Sequence, residues 1–151
     1  MKKLVAVAVC LLMVGCKSEK VPTAEDLFND EAKVAQLGHS DLGWVPLTVS
    51  VDRGAETTSI LFGNAEAVKD VRSGEPYKDG ADLKLVTWKQ REDPHWFGGR
   101  IPGAVASVEV VAFESGGPSY GRFAGSPLLK ITENDAARQA AIVGMKVAQL
   151  P

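Results

Sequence analysis

What this chain has little of decides the first steps. Among its 151 residues there are two cysteines, Cys10 and Cys16, and two histidines, His39 and His95. No residue beyond position 16 carries a thiol. That excludes a disulfide framework, a cysteine zinc site, an iron–sulfur cluster, a thiol nucleophile and covalent haem attachment through Cys-x-x-Cys-His. The histidines lie far apart in sequence, so no paired-histidine helix motif exists, and a lone histidine is more often structural or solvated than a ligand. Neither sign of charge is in excess: 17 basic side chains stand against 19 acidic ones. No basic excess is available to neutralise a phosphate backbone, so no nucleic-acid partner is expected. No Walker or Gly-x-Gly-x-x-Gly pattern supports nucleotide binding, and Ser119, in Gly-Pro-Ser-Tyr-Gly, sits in a turn-rich segment rather than a strand-to-helix elbow. What is present, 45% apolar and 24% charged residues, is the composition of one ordinary globular domain and not of a disordered chain.

The first segment reads as a signal. Lys2 and Lys3 precede an apolar run from Leu4 to Val14, which is short of the ~20 residues that a spanning helix needs. Met13-Val14-Gly15-Cys16 then resembles the bacterial lipobox, in which cleavage leaves a lipidated cysteine. Cys10 follows the bulky Val9 and fits cleavage less well. The resemblance implies residues 1–15 as signal peptide, 16–22 as lipidated Cys16 plus tether, and 23–151 as a single domain. Each buried methylene of the acyl chains contributes ~0.8 kcal/mol, enough in sum to hold the protein on a membrane without a transmembrane helix. Lys17 at the position after the cysteine resembles the default outer-membrane route, so the expected place is the bacterial envelope, facing the periplasm.

Along the mature chain, Thr23-x-x-Asp26 followed by Leu27, Phe28, Val34, Ala35 and Leu37 predicts a first helix ending at Gly38. Leu47, Val49 and Val51 alternate with polar residues as a half-buried strand does, and Thr57 to Phe62 continues in β-branched and aromatic residues. Asn64 caps a short helix through Arg72 that Gly74 stops, and residues 75–80 form an Asp-Gly turn. Strands follow at Leu83 to Gln90 and Val105 to Phe113, separated by a long loop from Arg91 to Gly103. Thr132 and Asp135 then open a tail helix with Ala137, Ala141, Met145 and Ala148 on one face. The fold expected is α+β, a twisted antiparallel sheet of four to five strands with flanking helices.

The segment from Thr87 to Pro102 concentrates unusual side chains, and Trp88, Asp93, His95, Trp96, Phe97 and Arg100 are the candidate site residues. They read in one of two ways. Either they rim a pocket, with aromatic walls, His95 as acid, base or ligand and an arginine for an anion, or Trp96 and Phe97 fold back on the core while the charges are solvated. No catalytic residue and no metal ligand set follows from the spacing, and an enzyme is not the expectation.

The runs Ile60-Leu61-Phe62-Gly63-Asn64-Ala65-Glu66-Ala67-Val68, Gly74-Glu75-Pro76-Tyr77-Lys78-Asp79-Gly80-Ala81, Thr87-Trp88-Lys89-Gln90, Trp96-Phe97-Gly98-Gly99-Arg100-Ile101-Pro102-Gly103 and Ser107-Val108-Glu109 resemble the cytochrome P-460 family over roughly residues 42 to 128. The resemblance implies a twisted antiparallel sheet with packed helices. Haem-bearing members oxidise hydroxylamine or bind nitric oxide, and hold haem by a C-terminal Cys-x-x-Cys-His. Here residues 132–151 contain neither Cys nor His, and the place of the cross-linking lysine, five residues after Gly80, holds Leu85. The expectation is a haemless domain without cofactor, acting as a module that binds a small ligand or meets an envelope protein partner. The alternative is a redox protein binding haem or metal noncovalently through His95 and Asp93.

Overall fold

The computed structural model describes residues 21, 23, 28–34, 43–131 and 135–147; Cys16 and the leader lie outside them. Six strands form one sheet in simple sequence order, every neighbour antiparallel: β1 Val45–Asp52, β2 Thr57–Gly63, β3 Asp82–Glu92, β4 Arg100–Glu114, β5 Gly117–Ala124 and β6 Leu129–Ile131. Helix α1 Ala65–Ser73 joins β2 to β3, and α2 Ala136–Val143 follows β6. The α+β class and antiparallel sheet are as expected, but among the described residues there are six strands. The additional ones come from the stretch after Ser115, where Gly117 opens β5 directly against β4 and the three-residue β6 closes the edge.

Side chains alternate between the two faces of the sheet, and each face has its own core. Leu61, Leu83, Leu85 and Val111 point to the face that α1 and α2 cover, where Leu47, Ala67 and Ile142 complete the cluster. Val86, Trp88 and Val108 point to the other face with Ile60, Phe62, Val110 and Phe123, and residues Ala32 and Val34 pack over them. Burial on both faces explains why β3 reads Leu-Lys-Leu-Val-Thr-Trp with so little alternation.

Helix α1 follows its sequence signals. The Asn64 side chain accepts from Ala67 N at its start, and Gly74 ends it at φ 70°, a left-handed conformation that suits glycine. Gly63 lets the helix sit close, since a Cβ there would lie 2.9 Å from Leu47 Cδ1 and 3.0 Å from Ala67 Cβ.

Four expectations need correction. The first helix is, over residues 28–34, a single 3-10 turn, Asp30–Ala32, while its remaining stretches, 24–27 and 35–38, lie outside the described residues. Tertiary contacts hold its backbone out of a helix: Trp88 Nε1 donates to Ala32 O at 2.8 Å, and Asn29 bonds Pro102 O and Arg91. The alternation of Leu47, Val49 and Val51 does not place them on one face. A bulge between Pro46 and Thr48 leaves Leu47 with the helix-side core, while Val49 and Val51, opposite Ile60 and Thr58, are exposed on the other side. The long loop from Arg91 to Gly103 shortens to the turn at 93–99, since β3 runs to Glu92 and β4 begins at Arg100; Gln90 pairs with Pro102 and Arg91 with Ile101. In the tail, Gly144 ends α2 early, and its buried residue is Ile142 whereas Ala137 and Ala141 are exposed; Thr132 and Ala148 lie outside the described residues.

Candidate functional site

The sequence candidates separate into two environments. Trp88 is buried on the sheet, and its indole N–H tethers residues 28–34, so it is a strut of the second core. Asp93, His95, Trp96, Phe97 and Arg100 gather at the β3–β4 turn. There His95 N donates to Asp93 Oδ1 at 2.8 Å, Asp93 N to Gly99 O at 3.0 Å and Gly99 N to Trp96 O at 2.9 Å. Arg100 pairs with Glu56 of the neighbouring β1–β2 turn at 3.4 Å. Trp96 is 74% exposed and Phe97 fully exposed, so neither folds back on the core. The turn is internally braced and displays its rings outward.

A cluster of perturbed ionisable groups around Glu109 was not among the sequence candidates. Glu109 faces the helix side from the middle of β4 and is 2% exposed. Arg138 of α2 clamps its carboxylate with both Nε and a terminal nitrogen, at 2.8 and 2.7 Å, and the Tyr120 hydroxyl of β5 donates to it at 2.6 Å. Arg122, opposite Glu109 in the β4–β5 register, adds positive charge. Burial by itself raises the Glu109 pKa, but the bonds from Arg138 and Tyr120 and the charges of both arginines outweigh it, so the net shift is downward. Burial and the bond to Glu109 push Tyr120 up to about 12. The carboxyl is thus held ionised, and the phenol and guanidinium protonated, around neutral pH. None is poised for proton transfer, and the cluster fastens α2 to the sheet. Its one sequence signal is a lone acid inside Val108-Glu109-Val110-Val111.

On the helix-covered side of the sheet lies a cleft of about 690 Å³. Asp70, buried on α1, braces the turn that forms one wall: its carboxylate accepts from Lys78 N at 2.9 Å and its carbonyl from Glu75 N, which fixes the turn after Gly74. Tyr77 is thereby laid against Phe113 of β4, with ring centroids 5.3 Å apart and planes tilted by 38°. Val71, Val143 and Val147 supply further apolar lining, and the exposed Glu75 and Lys146 add opposite charges. Burial, and secondarily the Asp70 charge, raises the Tyr77 pKa, so its hydroxyl stays a neutral donor. Sequence reading saw only a turn here, because the cleft needs Phe113 and α2, both remote in the chain.

Among the described residues no group of three or more His, Cys, Asp or Glu side chains is placed to hold a metal ion, and no helix is long and apolar enough to cross a membrane. The spacing Gly117-Pro118-Ser119-Tyr120-Gly121 lies within β5, where the exposed Ser119 reaches back to Ala112 O. It makes no strand-to-helix elbow. Comparison with protein-family models and with curated proteins gives no match for the chain.

Proposed function

We propose that this protein is a lipid-anchored lipoprotein of the bacterial envelope whose haemless, cytochrome P-460-like domain binds a small, mainly apolar ligand in the cleft beside Tyr77 and Phe113. The observation that carries the binding role is that cleft: aromatic and aliphatic walls, a neutral phenol donor and a rim cation, the usual make-up of a small-molecule site. The order strand, short helix, turn, strand, glycine-containing turn and strand supports the family likeness, and the missing Cys-x-x-Cys-His supports a role without covalent haem. Met13-Val14-Gly15-Cys16 and the basic, apolar leader support the anchor and the outer-membrane, periplasm-facing location. The alternative, noncovalent haem at His95, gains little from an exposed position on a turn.

Two measurements test this reading. Titration of the purified protein with anilinonaphthalene sulfonate, an apolar anionic fluorophore, should reveal one saturable site. Lys146→Glu, an exposed change, should weaken it about fivefold. Binding that ignores the charge reversal would move the ligand elsewhere. Protein expressed with haem supplied should show no Soret band, and a stoichiometric band abolished by His95→Ala would establish the redox alternative instead.

A further inference from the structure

The described N-terminal segment has a direction. Asn29 bonds Pro102 O and Arg91, Glu31 pairs with Arg91 at 3.1 Å, and Ala32 O accepts from Trp88, three positions earlier in β3. Residues 29 to 32 therefore run opposite to β3. Followed toward the amino end, the chain moves ~10 Å along the hairpin toward its turn. Phe28, the next residue outward, is 71% exposed. Cys16 precedes it by only twelve positions, a reach of at most ~40 Å even when fully extended. The same end of the sheet carries Trp96 and Phe97, exposed on a turn whose own hydrogen bonds hold it in shape.

We propose that the Trp96–Phe97 turn inserts into the interfacial layer of the membrane that holds Cys16, giving the domain a fixed orientation; this rests on the lipid-anchor reading above. Trp and Phe suit that layer, where an apolar ring is buried and an indole N–H still finds water or a headgroup. Charge around the turn is nearly balanced, with Arg53, Lys89, Arg91 and Arg100 against Glu31, Glu56, Glu92 and Asp93. The contact is therefore apolar, and insensitive to salt. The helix-side cleft, bounded by Phe113 near the far end of β4, faces away from the bilayer, ~40 Å along the strand from Arg100. A lipid surface, rather than a protein partner, is favoured because the anchor and the aromatic turn leave the domain at one end.

The chain holds three tryptophans; Trp88 is buried and Trp44 half-buried with Lys84 Nζ over its ring, whereas Trp96 is exposed, so the part of the emission that membrane bromine quenches reports the turn. The experiment reconstitutes the full-length protein, with acylation of Cys16 checked by mass spectrometry, into phosphatidylcholine vesicles brominated on the acyl chains. Bromine should quench the emission at low and high salt alike, and Trp96→Phe should abolish that quenching. Phe97→Ser, which leaves the reporter in place, should reduce it at least twofold. Acylated, vesicle-bound protein with unquenched Trp96 would overturn the insertion while leaving the anchor intact, as would Trp96 shielded only after an envelope-protein extract is added. An unmodified Cys16 would overturn the anchor, and the proposed orientation with it.

Discussion

Glu109 shows how a single side chain sets the terms for its neighbours. Removing Arg138 leaves a buried carboxylate with only Tyr120 and the nearby Arg122 charge. Breaking a fully buried pair costs about 3–5 kcal/mol; here the Arg138 side chain is 44% exposed, so Arg138→Met should cost about 2–3 kcal/mol in denaturant unfolding at neutral pH. Glu109→Gln should cost about 1 kcal/mol, because the orphaned guanidinium can reach water. The folded carboxyl titrates below the usual 4.5, so its stabilising contribution is complete above that pH and is lost as the pH falls through the lowered folded value. The deficit of Arg138→Met should therefore shrink in acid; a deficit constant with pH would mean that charge at Glu109 is not its cause. Tyr120 acts at the other extreme. Its pKa rises from 10.0 to about 12, so its contribution is complete below pH 10 and is lost as the pH climbs toward 12. Tyr120→Phe should remove the last phenolate to appear in an absorbance titration, together with that alkaline loss of stability.

At the scale of elements, two polar contacts fix how the pieces meet. Asn64 caps α1 through Ala67 N, and it also bonds Gly80 O and accepts from Asp82 N, so it joins the helix start to the head of β3. Asn64→Ala should cost about 2 kcal/mol, more than a cap alone, because the Asp82 N–H loses its acceptor as well. A loss no larger than ~0.5 kcal/mol would show that those bonds are replaced by water. Trp88→Phe keeps most of the ring but removes the donor to Ala32 O. Amide exchange within residues 28–34 should then accelerate while that of β3 and β4 is retained, since the cross-strand ladder does not depend on the indole. The capping of α1 was legible because its signals are local: Asn64, the apolar spacing and Gly74 lie within eleven consecutive positions. Across residues 28–34 the expected first helix gives way to a 3-10 turn for the opposite reason. Its residues carry helical spacing, but the carbonyl of Ala32 and the side chain of Asn29 are claimed by β3 and β4, some sixty to seventy positions away.

Over the whole molecule, the sheet gives the protein two ends with different properties. The β1–β2 and β3–β4 turns mark one, with exposed aromatic rings; the turn after Gly74 and the cleft beside Phe113 mark the other. If Cys16 carries the anchor, Cys16→Ser should remove acyl label from the protein and shift it out of the membrane fraction. A variant retained there without label would show that something other than lipid holds it. Tyr77→Ala, at the opposite end, should leave fractionation unchanged and weaken binding of the fluorophore, so the two ends are experimentally separable.

By itself the sequence determined the secondary-structure class, an antiparallel sheet, the capped helix and the exclusion of thiol chemistry in the domain, because these follow from composition and from patterns a few residues long. It also brought the β3–β4 aromatic cluster to attention. Only the tertiary structure decided that Trp88 supports a core while Trp96 and Phe97 stand exposed, that a one-residue bulge divides Leu47 from Val49 and Val51, and that Glu109 meets Arg138. The face a side chain takes is a matter of register, and a partner 29 positions away is a matter of folding; neither is written in the spacing of neighbours.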